Sequence, residues 1–589
     1  MAIENLITDH LDLWTAAVRP KSSVGRGSNS KLELTGIKKL RELILELAVR
    51  GKLVPQDPSD EPASVLLERI AAEKAQLAKE GKIKKPKALP EIGEEEKPFE
   101  LPDGWEWRRL PDICDYFPGK TPSTKNPIYW GELDVDTPWV SISDMQHSGI
   151  VNLTSKKITT RAVDDVFKRS PTPAGTILMS FKLTVGKISY LGFDAYHNEA
   201  ILSIYPFNGI SKEFLFHFLP SIALRGNTKN AIMGNTLNAE SLSMLQIPIP
   251  PEDEQHRIVA KVDELMALCD QLEQRSESQL AAHQMLVETL LATLTDSCDA
   301  EELAQNWARL SSHFDLLFTT EASIDALKQS ILQLAVMGKL VSQDPSDEPA
   351  SALLERIAAE KAQLVKEKKI KKEKPLPAIS EDEKPFELPL GWVWSRISES
   401  SLFCEYGSSE KTVSELSDGV PVLKMGDIQD GKVILGSHQV VSPKIDDLPN
   451  LYLKKGDILY NRTNSAELVG KTGMFDGDDD TYTFASYLIR IRCSIHNIRP
   501  EYLTLCMNSP LFRKTQIEPH IKQQCGQANV NGTLMKSMLV SIPPYHEQVL
   551  ILQKIHELMT LCDQLKSRLQ TSQQTQLALA ESLVEGALA

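Results

Sequence analysis

The sequence predicts an α/β protein: two β-rich α/β modules separated by long coiled-coil helices, the whole being one unit written twice about an internal pseudo-two-fold axis. Three observations carry that expectation. The stretch ILELAVRGKLVPQDPSDEPASVLLERIAAEKAQL, Ile44 to Leu77, returns from Ile331 to Leu364 as ILQLAVMGKLVSQDPSDEPASALLERIAAEKAQL. At the same offset, EEEKPFELPDGWEW (Glu94–Trp107) returns as EDEKPFELPLGWVW (Glu381–Trp394). IPPEDEQ (Ile249–Gln255) with ELMALCDQL (Glu264–Leu272) returns as IPPYHEQ (Ile542–Gln548) with ELMTLCDQL (Glu557–Leu565). A repeat of this length decides the architecture before any local propensity does. Between the matched blocks, roughly 108–243 and 395–536, the copies hardly resemble one another. A scaffold kept while two inserts diverge is expected if the inserts read different things.

The ends continue one another. His10–Leu13 (HLDL) resembles His313–Leu316 (HFDL), and the last residue, Ala589, maps onto the position just ahead of that second segment. The repeat is therefore expected to close into a ring, with extra residues near Lys21–Lys31 in the first copy.

The chain of 589 residues exceeds what one core serves, so several structural units are expected. Hydrophobic content of 41% and charged content of 25% are ordinary for a soluble protein. The N-terminus lacks a basic stretch leading into an apolar core, and no apolar run is long enough to span a bilayer, which points to the cytoplasm and away from membranes. The 8 cysteines contain no C-x-x-C and no zinc spacing, and are expected as reduced thiols. The net charge of −15 argues against a stand-alone nucleic-acid binder, but its distribution weakens the objection. Segments 101–251 and 388–544 sum to 0 and −1, which leaves the acidity in the helix-patterned remainder. If DNA is bound, the modules touch it and another subunit supplies much of the phosphate clamp.

In order, residues 1–100 read as an N-terminal helical region, 101–251 as the first module, and 252–387 as a central helical region with a long helix. Residues 388–544 read as the second module and 545–589 as a C-terminal long helix. Residues 1–18 look like the end of a helix and 19–34 like a basic connector. Ile37, Leu40, Ile44 and Leu47 follow helical spacing and stop at Gly51; Ile324, Leu327, Ile331 and Leu334 stop at Gly338. Pro62 suits the first turn of a helix over about 62–81, which ends in the basic run KIKKPK (82–87); its twin ends in KEKKIKKEK (366–374). Beyond Trp105 short apolar runs appear: PWVSI (138–142), GTILM (175–179), KISYL (187–191) and AILSIY (200–205). The second copy has VPVLKM (420–425), GDILY (456–460), KTGMF (471–475) and SYLIRIR (486–492), in the same order of strands and turns.

In the long helices Ile258, Val262, Leu265, Cys269 and Leu272 alternate four and three apart, with Leu286 and Leu290 rejoining the seam. Ile551, Ile555, Leu558, Cys562, Leu565 and Leu569 do the same, followed by Leu579 and Leu583. That alternation favours coiled-coil packing.

Several strings imitate catalytic motifs and fail on a required residue. Gly119-Lys120-Thr121 and Gly470-Lys471-Thr472 end like phosphate loops, but Cys114 and Ser465 stand where the first glycine is needed. His556-Glu557 lacks its second histidine at Thr560, Ile542 precedes Pro543-Pro544-Tyr545 where an amino-methyltransferase needs Asn or Asp, and Asp476–Asp480 lacks a calcium-loop glycine. No catalytic or metal site is expected, and His147, His197 and His217 read as structural.

What the modules do carry is turns mixing Lys or Arg with Asn, Gln, Ser and Thr, the groups that hold phosphates and make bidentate contacts to base edges. In the first they are Lys120, Thr121, Ser123, Thr124, Lys125 and Asn126; then Lys182 and Lys187; then Arg225, Lys229, Asn230, Asn235 and Asn238. In the second they are Arg462, Asn464 and Lys471, then Lys522, Gln523, Gln524, Gln527, Asn529 and Asn531. They fall at similar places in both modules.

GKTPSTKNPIYW…PWVSISDM (119–145), PAGTILMSFKLTVGKI (173–188) and LQIPIPPEDEQHRIVAKVD (245–263) resemble the target-recognition domain and following helix of type I restriction-modification specificity subunits. The duplicated architecture extends the resemblance over nearly the whole chain. GKLVPQDPSDEPA looks like the subgroup with long conserved segments ahead of each recognition domain. The resemblance implies that each domain reads one half of a split site in double-stranded DNA. Two modules along one face of the duplex, about a helical turn apart, are expected by analogy with dimeric readers of half-sites, and because the modules differ the half-sites should differ in sequence. The resemblance also implies helices that pack antiparallel, set the spacer and dock two modification subunits, which methylate adenine with S-adenosylmethionine. Two restriction subunits, using ATP and Mg²⁺, are implied as further partners. None of these cofactors is expected on this chain, which is then a non-catalytic recognition subunit. Two other classes remain open: a single-chain DNA methyltransferase or nuclease, and a two-armed coiled-coil protein adaptor without sequence-specific DNA reading.

Overall fold

The computed structural model describes residues 3–20, 32–81, 89–131, 136–225, 229–231, 234–297, 300–524 and 527–588. The basic runs 21–31 and 82–87 lie outside the described residues. The chain divides into two compact units, Met1–Ser278 with Gln573–Ala589, and Gln279–Ser572.

Each unit opens on a helical layer. In the first, the start is two short helices, Ile3–Thr8 and Leu11–Ala16, where one helix end was expected. Helix Thr35–Val49 buries Ile37, Leu40, Ile44 and Leu47 on one face. It stops as its glycine requires: Gly51 takes φ +67°, its amide donates to Ala48 O (3.1 Å), and Lys52 N donates to Leu47 O (2.8 Å). This is the paired-bond glycine termination of a helix. Helix Glu321–Val336 ends identically at Gly338 (φ +71°). At both glycines a Cβ would meet a proline ring at 2.4 Å, Pro102 or Pro389. The next helices, Ala63–Lys79 and Ala350–Lys366, begin one residue later than the proline placed them, with Pro62 and Pro349 as caps.

Each module is closed by two strands brought from its ends: Glu106–Arg109 pairs antiparallel with Gln246–Ile249, and Val393–Arg396 with Leu539–Ile542. Within the first module a five-stranded sheet has the order Cys114–Pro118, Ile201–Pro206, Ile177–Ser180, Ile188–Leu191, Gly149–Val151. The second repeats it as Phe403–Tyr406, Leu488–Arg492, Ile458–Asn461, Thr472–Met474, Lys432–Val433, with Ile428–Gln429 added at the edge. A second sheet follows the same plan, Tyr196–His197, Thr137–Val140, Lys156–Ile158 in one and Thr483–Phe484, Val420–Leu423, Val440–Val441 in the other; Trp130–Gly131 extends the first.

The long helices are 44 residues each, Glu252–Thr295 and Tyr545–Leu588, or about 66 Å at the helical rise. Ile258, Val262, Leu265 and Cys269 are buried and Leu272 half-buried, as are Ile551, Ile555 and Cys562 with Leu558 and Leu565 half-buried. Further along the seam departs from the spacing expected of a supercoil. Leu286 and Leu579 are more than half exposed, and their neighbours Val287 and Ala580 are buried instead. Buried positions recur at Ile258, Ser276 and Leu294, at Cys269 and Val287, and at Cys562 and Ala580. That 18-residue interval is five turns of a straight 3.6-residue helix; a 3.5-residue seam would have kept Leu286 and Leu579 inside.

Each long helix contributes to both units, the first changing unit after Ser278 and the second after Ser572. The ends make equivalent contacts: Lys339 Nζ donates to Thr295 O (3.1 Å), and Lys52 Nζ, its twin, donates to Leu588 O (3.2 Å). The tail of the chain thus serves the first unit as the middle of the chain serves the second, the closure expected of the repeat.

Candidate nucleic-acid interface

The repeated motifs at the edges of the modules are explained by buried polar bonds that sequence reasoning did not assign. Arg109 donates through Nε to Pro90 O (3.1 Å), through Nη1 to Met244 O (3.1 Å), and through Nη2 to Glu96 (2.8 Å). Arg396 makes the same set to Pro377 O (3.1 Å), Ser537 O (2.8 Å) and Glu383 (3.1 Å). Trp105 Nε1 donates to Glu254 (3.0 Å) and Trp392 Nε1 to Glu547 (2.9 Å). Burial pushes both carboxyls above their ordinary range, against the indole bonds that pull them down. Gln255 accepts from Ser211 N and Gln548 from Arg499 N, both at 2.8 Å. The EQ pair of each Pro-Pro motif thereby ties module to long helix.

This frame brings the polar segments of each module together. In the first, Gly119 N donates to Ile201 O (3.1 Å), Lys120 N to His197 O (2.9 Å) and Phe181 N to Ala200 O (3.0 Å), so the 119–126 loop and the 181–182 segment meet at one end of the five-stranded sheet. Gly119 is required there: a Cβ would stand 1.9 Å from His197 O. From that end Lys182–Leu183 joins Gly234–Thr236 and Lys229–Ala231 in a small antiparallel sheet. Lys182 and Lys229 both lie opposite Thr236, and Asn230 lies opposite Asn235.

The second module builds the same three-stranded sheet from different residues. Thr463–Asn464 joins Gln527–Asn529 and Lys522–Gln524; Thr463 and Lys522 both lie opposite Asn529, Gln523 opposite Ala528, and Gln524 opposite Gln527. Lys522 is the twin of Lys229, and Asn529 of Thr236. Arg462 stands where the first module has Phe181: its amide donates to Tyr487 O (3.1 Å), its Nε to Ser486 O (3.1 Å), and its guanidinium lies 5.1 Å over the Tyr406 ring. The Gly407–Thr412 loop, twin of the 119–126 loop, was missed. The available signal was the glycine directly after the first sheet strand in both copies; a Cβ on Gly407 would stand 2.4 Å from Phe484 O.

Not every candidate side chain is equally available. Ser123, Thr124, Lys125 and Lys471 are exposed. Lys120 Nζ donates to Val166 O (2.9 Å), Thr121 to Glu199, and Asn126 accepts from Ile128 N (3.3 Å). Lys187 is turned inward to Ile142 O (3.0 Å), and Arg225 pairs with Glu46 on the helical layer. Asn238 and Asn531, twins, cap short helices by accepting from Ser241 N (2.7 Å) and Leu534 N (2.8 Å). Asn464 accepts from Ser465 N (2.8 Å), and Asn529 accepts from Thr463 Oγ1 at 3.5 Å. His197 is buried and its pKa is lowered to about 4 by desolvation, so it is a neutral structural side chain. Among the described residues no cluster of three or more His, Cys, Asp or Glu could hold a metal, and no helix is long and apolar enough to cross a membrane.

Two modules of one topology, each carrying a polar three-stranded sheet at the same end, define a duplicated recognition protein. The type I restriction modification DNA specificity domain matches twice, over residues 102–282 and 397–572. The chain is 44% identical to the type I restriction enzyme EcoEI specificity subunit of Escherichia coli and 43% identical to the EcoAI specificity subunit of the same organism, each over 100% of both chains. The HsdS subunit of Thermoanaerobacter tengcongensis, a crystal structure, covers 84% of this chain and 98% of its own at 16% identity, with a TM-score of 0.39. The chain belongs to the type I restriction-modification specificity subunits, with two target-recognition domains.

Proposed function

We propose that each recognition domain reads one half of a bipartite, asymmetric site in double-stranded DNA, through the three-stranded sheet and the loop after the first sheet strand. The carrying observation is that the two modules build this same sheet around a shared lysine, Lys229 or Lys522, but with different residues at the other matched places, Lys182, Asn230 and Thr236 in one and Thr463, Gln523 and Asn529 in the other. Lys, Arg, Asn and Gln are the side chains that pair with base edges and phosphates, so a changed set means a changed half-site. The long helices, which contribute to both units, set the spacer and dock two modification subunits that methylate adenine with S-adenosylmethionine. Two restriction subunits join the same complex with ATP and Mg²⁺. This chain binds none of those cofactors and acts in the cytoplasm.

The test is a genome-wide map of N6-methyladenine in cells with and without the gene. The expected result is a split motif, different in its two halves, that disappears on deletion. Exchanging residues 101–251 for those of a relative should then change one half only. Inserting four residues within 258–290 should change the spacer and keep both halves. A motif that survives deletion overturns the reading and favours the adaptor.

A further inference from the structure

We propose that the second unit carries a DNA-backbone groove beside its recognition sheet, walled by the lysine-rich strap 367–376. The inference rests on the reading of the second module given above and adds a sequence-independent element to it. A cavity of about 1830 Å³ lies between the last turns of helix Ala350–Lys366, the strap, and strand Phe403–Tyr406, the edge strand of its sheet. Tyr406 and Thr533 also line it. Tyr406 adjoins the recognition element directly, because it precedes the Gly407–Thr412 loop and its ring lies 5.1 Å from the guanidinium of Arg462, the residue before strand Thr463–Asn464. The groove therefore runs on from the surface proposed to read bases.

The charges in the groove are unevenly committed. Of its carboxylates, only Glu355 is exposed without a partner among the described residues; Glu360 accepts from Ser494 Oγ (2.6 Å), Glu399 from Arg396 N (3.2 Å), Glu405 pairs with Arg490, and Glu373 pairs with Lys536, which leaves one uncommitted acid against the uncommitted lysines. Lys361 donates to Ser398 O (2.6 Å) and Lys369 pairs with Glu367 (2.8 Å). Lys368, Lys371, Lys372 and Lys374 line the same cavity, are exposed, and have no partner among the described residues. Four cations without counter-ions along one wall suit a ligand with regularly spaced negative charge and no particular sequence, which is the phosphodiester backbone.

A second, independent observation concerns Lys368. It holds φ +58°, in the left-handed region, at a helix end where the first copy has Gly81 at φ +72°. A glycine takes that conformation without strain and a lysine does not. The second copy thus tolerates strain at the one position that brings another cation to the groove.

The experiment measures DNA binding by the full chain in complex with its modification subunits, on duplexes with and without the methylation motif, across a salt series. The variants are Lys371→Gln with Lys372→Gln, and Lys368→Gly. Neutralising the pair should weaken binding to both duplexes alike and reduce the slope of log affinity against log salt by about 1–2, one lost phosphate contact each. Lys368→Gly should weaken binding while keeping or raising the unfolding midpoint, because it relieves the strained backbone. Sequence discrimination by the parent complex with an unchanged salt slope in the variants overturns the groove and leaves the recognition reading standing. Loss of a modification subunit with the slope unchanged assigns the lysines to a protein partner and also overturns it. Absence of sequence discrimination in the parent complex overturns the recognition reading, and the groove with it.

Discussion

Arg109 and Arg396 make the same three bonds in two units whose modules share almost no sequence, whereas Ser203 and Arg490, at equivalent places in the two central sheets, share nothing but position. Ser203 lies opposite Phe117 and donates to its carbonyl (3.3 Å). Arg490 lies opposite Glu405, pairs with it, donates to Tyr452 O (2.6 Å) and Asn450 O (2.9 Å), and approaches buried Asp457. The frame is held by bonds to backbone carbonyls and to a few acids at fixed sequence distance, so it is indifferent to what the inserts contain. The sheets are free to solve their interiors differently, and one solution is a buried ion-pair network.

The sharpest test of that contrast removes the network from one module only. Arg490→Ala removes a fully buried guanidinium from Glu405 and from the Tyr452 and Asn450 carbonyls, while Asp457 keeps Arg492 and the Lys454 amide, and should destabilise the chain by about 2–3 kcal/mol. Ser203→Ala removes a single neutral hydrogen bond and should cost about 1 kcal/mol. Denaturant unfolding of the full chain measures both, and equal costs would contradict the difference between the modules.

The frame, by contrast, should respond symmetrically. Trp105→Phe and Trp392→Phe each remove an indole donor from a buried carboxyl and should cost about 1–2 kcal/mol at neutral pH. Because burial raises the Glu254 and Glu547 pKa values, the folded chain holds a proton in the window just above the ordinary carboxylate range, where the unfolded chain has released it. Stability contributed by these groups therefore falls as pH rises through that window. Glu254→Gln and Glu547→Gln should each flatten that dependence, read from unfolding midpoints between acid and neutral pH. A flattening at one site only would break the equivalence of the two units.

The smallest contrast lies along the long helices. Val287→Ala, on the buried face, should cost about 2 kcal/mol, whereas Leu286→Gln, one residue away and more than half exposed, should stay within about 0.5 kcal/mol. The reverse order would restore the supercoiled seam that the heptad spacing suggested.

The residues proposed to read DNA can be picked from composition, but their availability cannot. Lys182, Lys229, Asn230, Asn235, Lys522, Gln523, Gln524 and Gln527 all fall on the paired small sheets, as a set chosen for residue type alone would not reveal. Lys187, Arg225, Asn238 and Asn531 have the same chemistry and are occupied. Lys187 is turned to Ile142 and Arg225 to Glu46, partners far away in sequence, and the two asparagines serve helix ends within three residues. The missed loop at Gly407 has no run of basic and amide residues; only its place after the first sheet strand marks it.

By itself the sequence determined the duplication, the helix ends at Gly51 and Gly338, the order of strands in each module, and the return of the chain's tail to its beginning. These follow from local rules, since periodicity, glycine's access to positive φ and direct self-similarity all act over a few residues or are visible by comparison. Only the tertiary structure decided which face of each long helix is inside, which cations keep no partner, and why the motif Glu254-Gln255 recurs as Glu547-Gln548. Those outcomes depend on groups that meet across a hundred residues or more, where Trp105 finds Glu254 and Arg109 finds Met244. A side chain's chemistry is written in the sequence, but whether it is spent on the fold or left for a ligand is set by what the fold brings beside it.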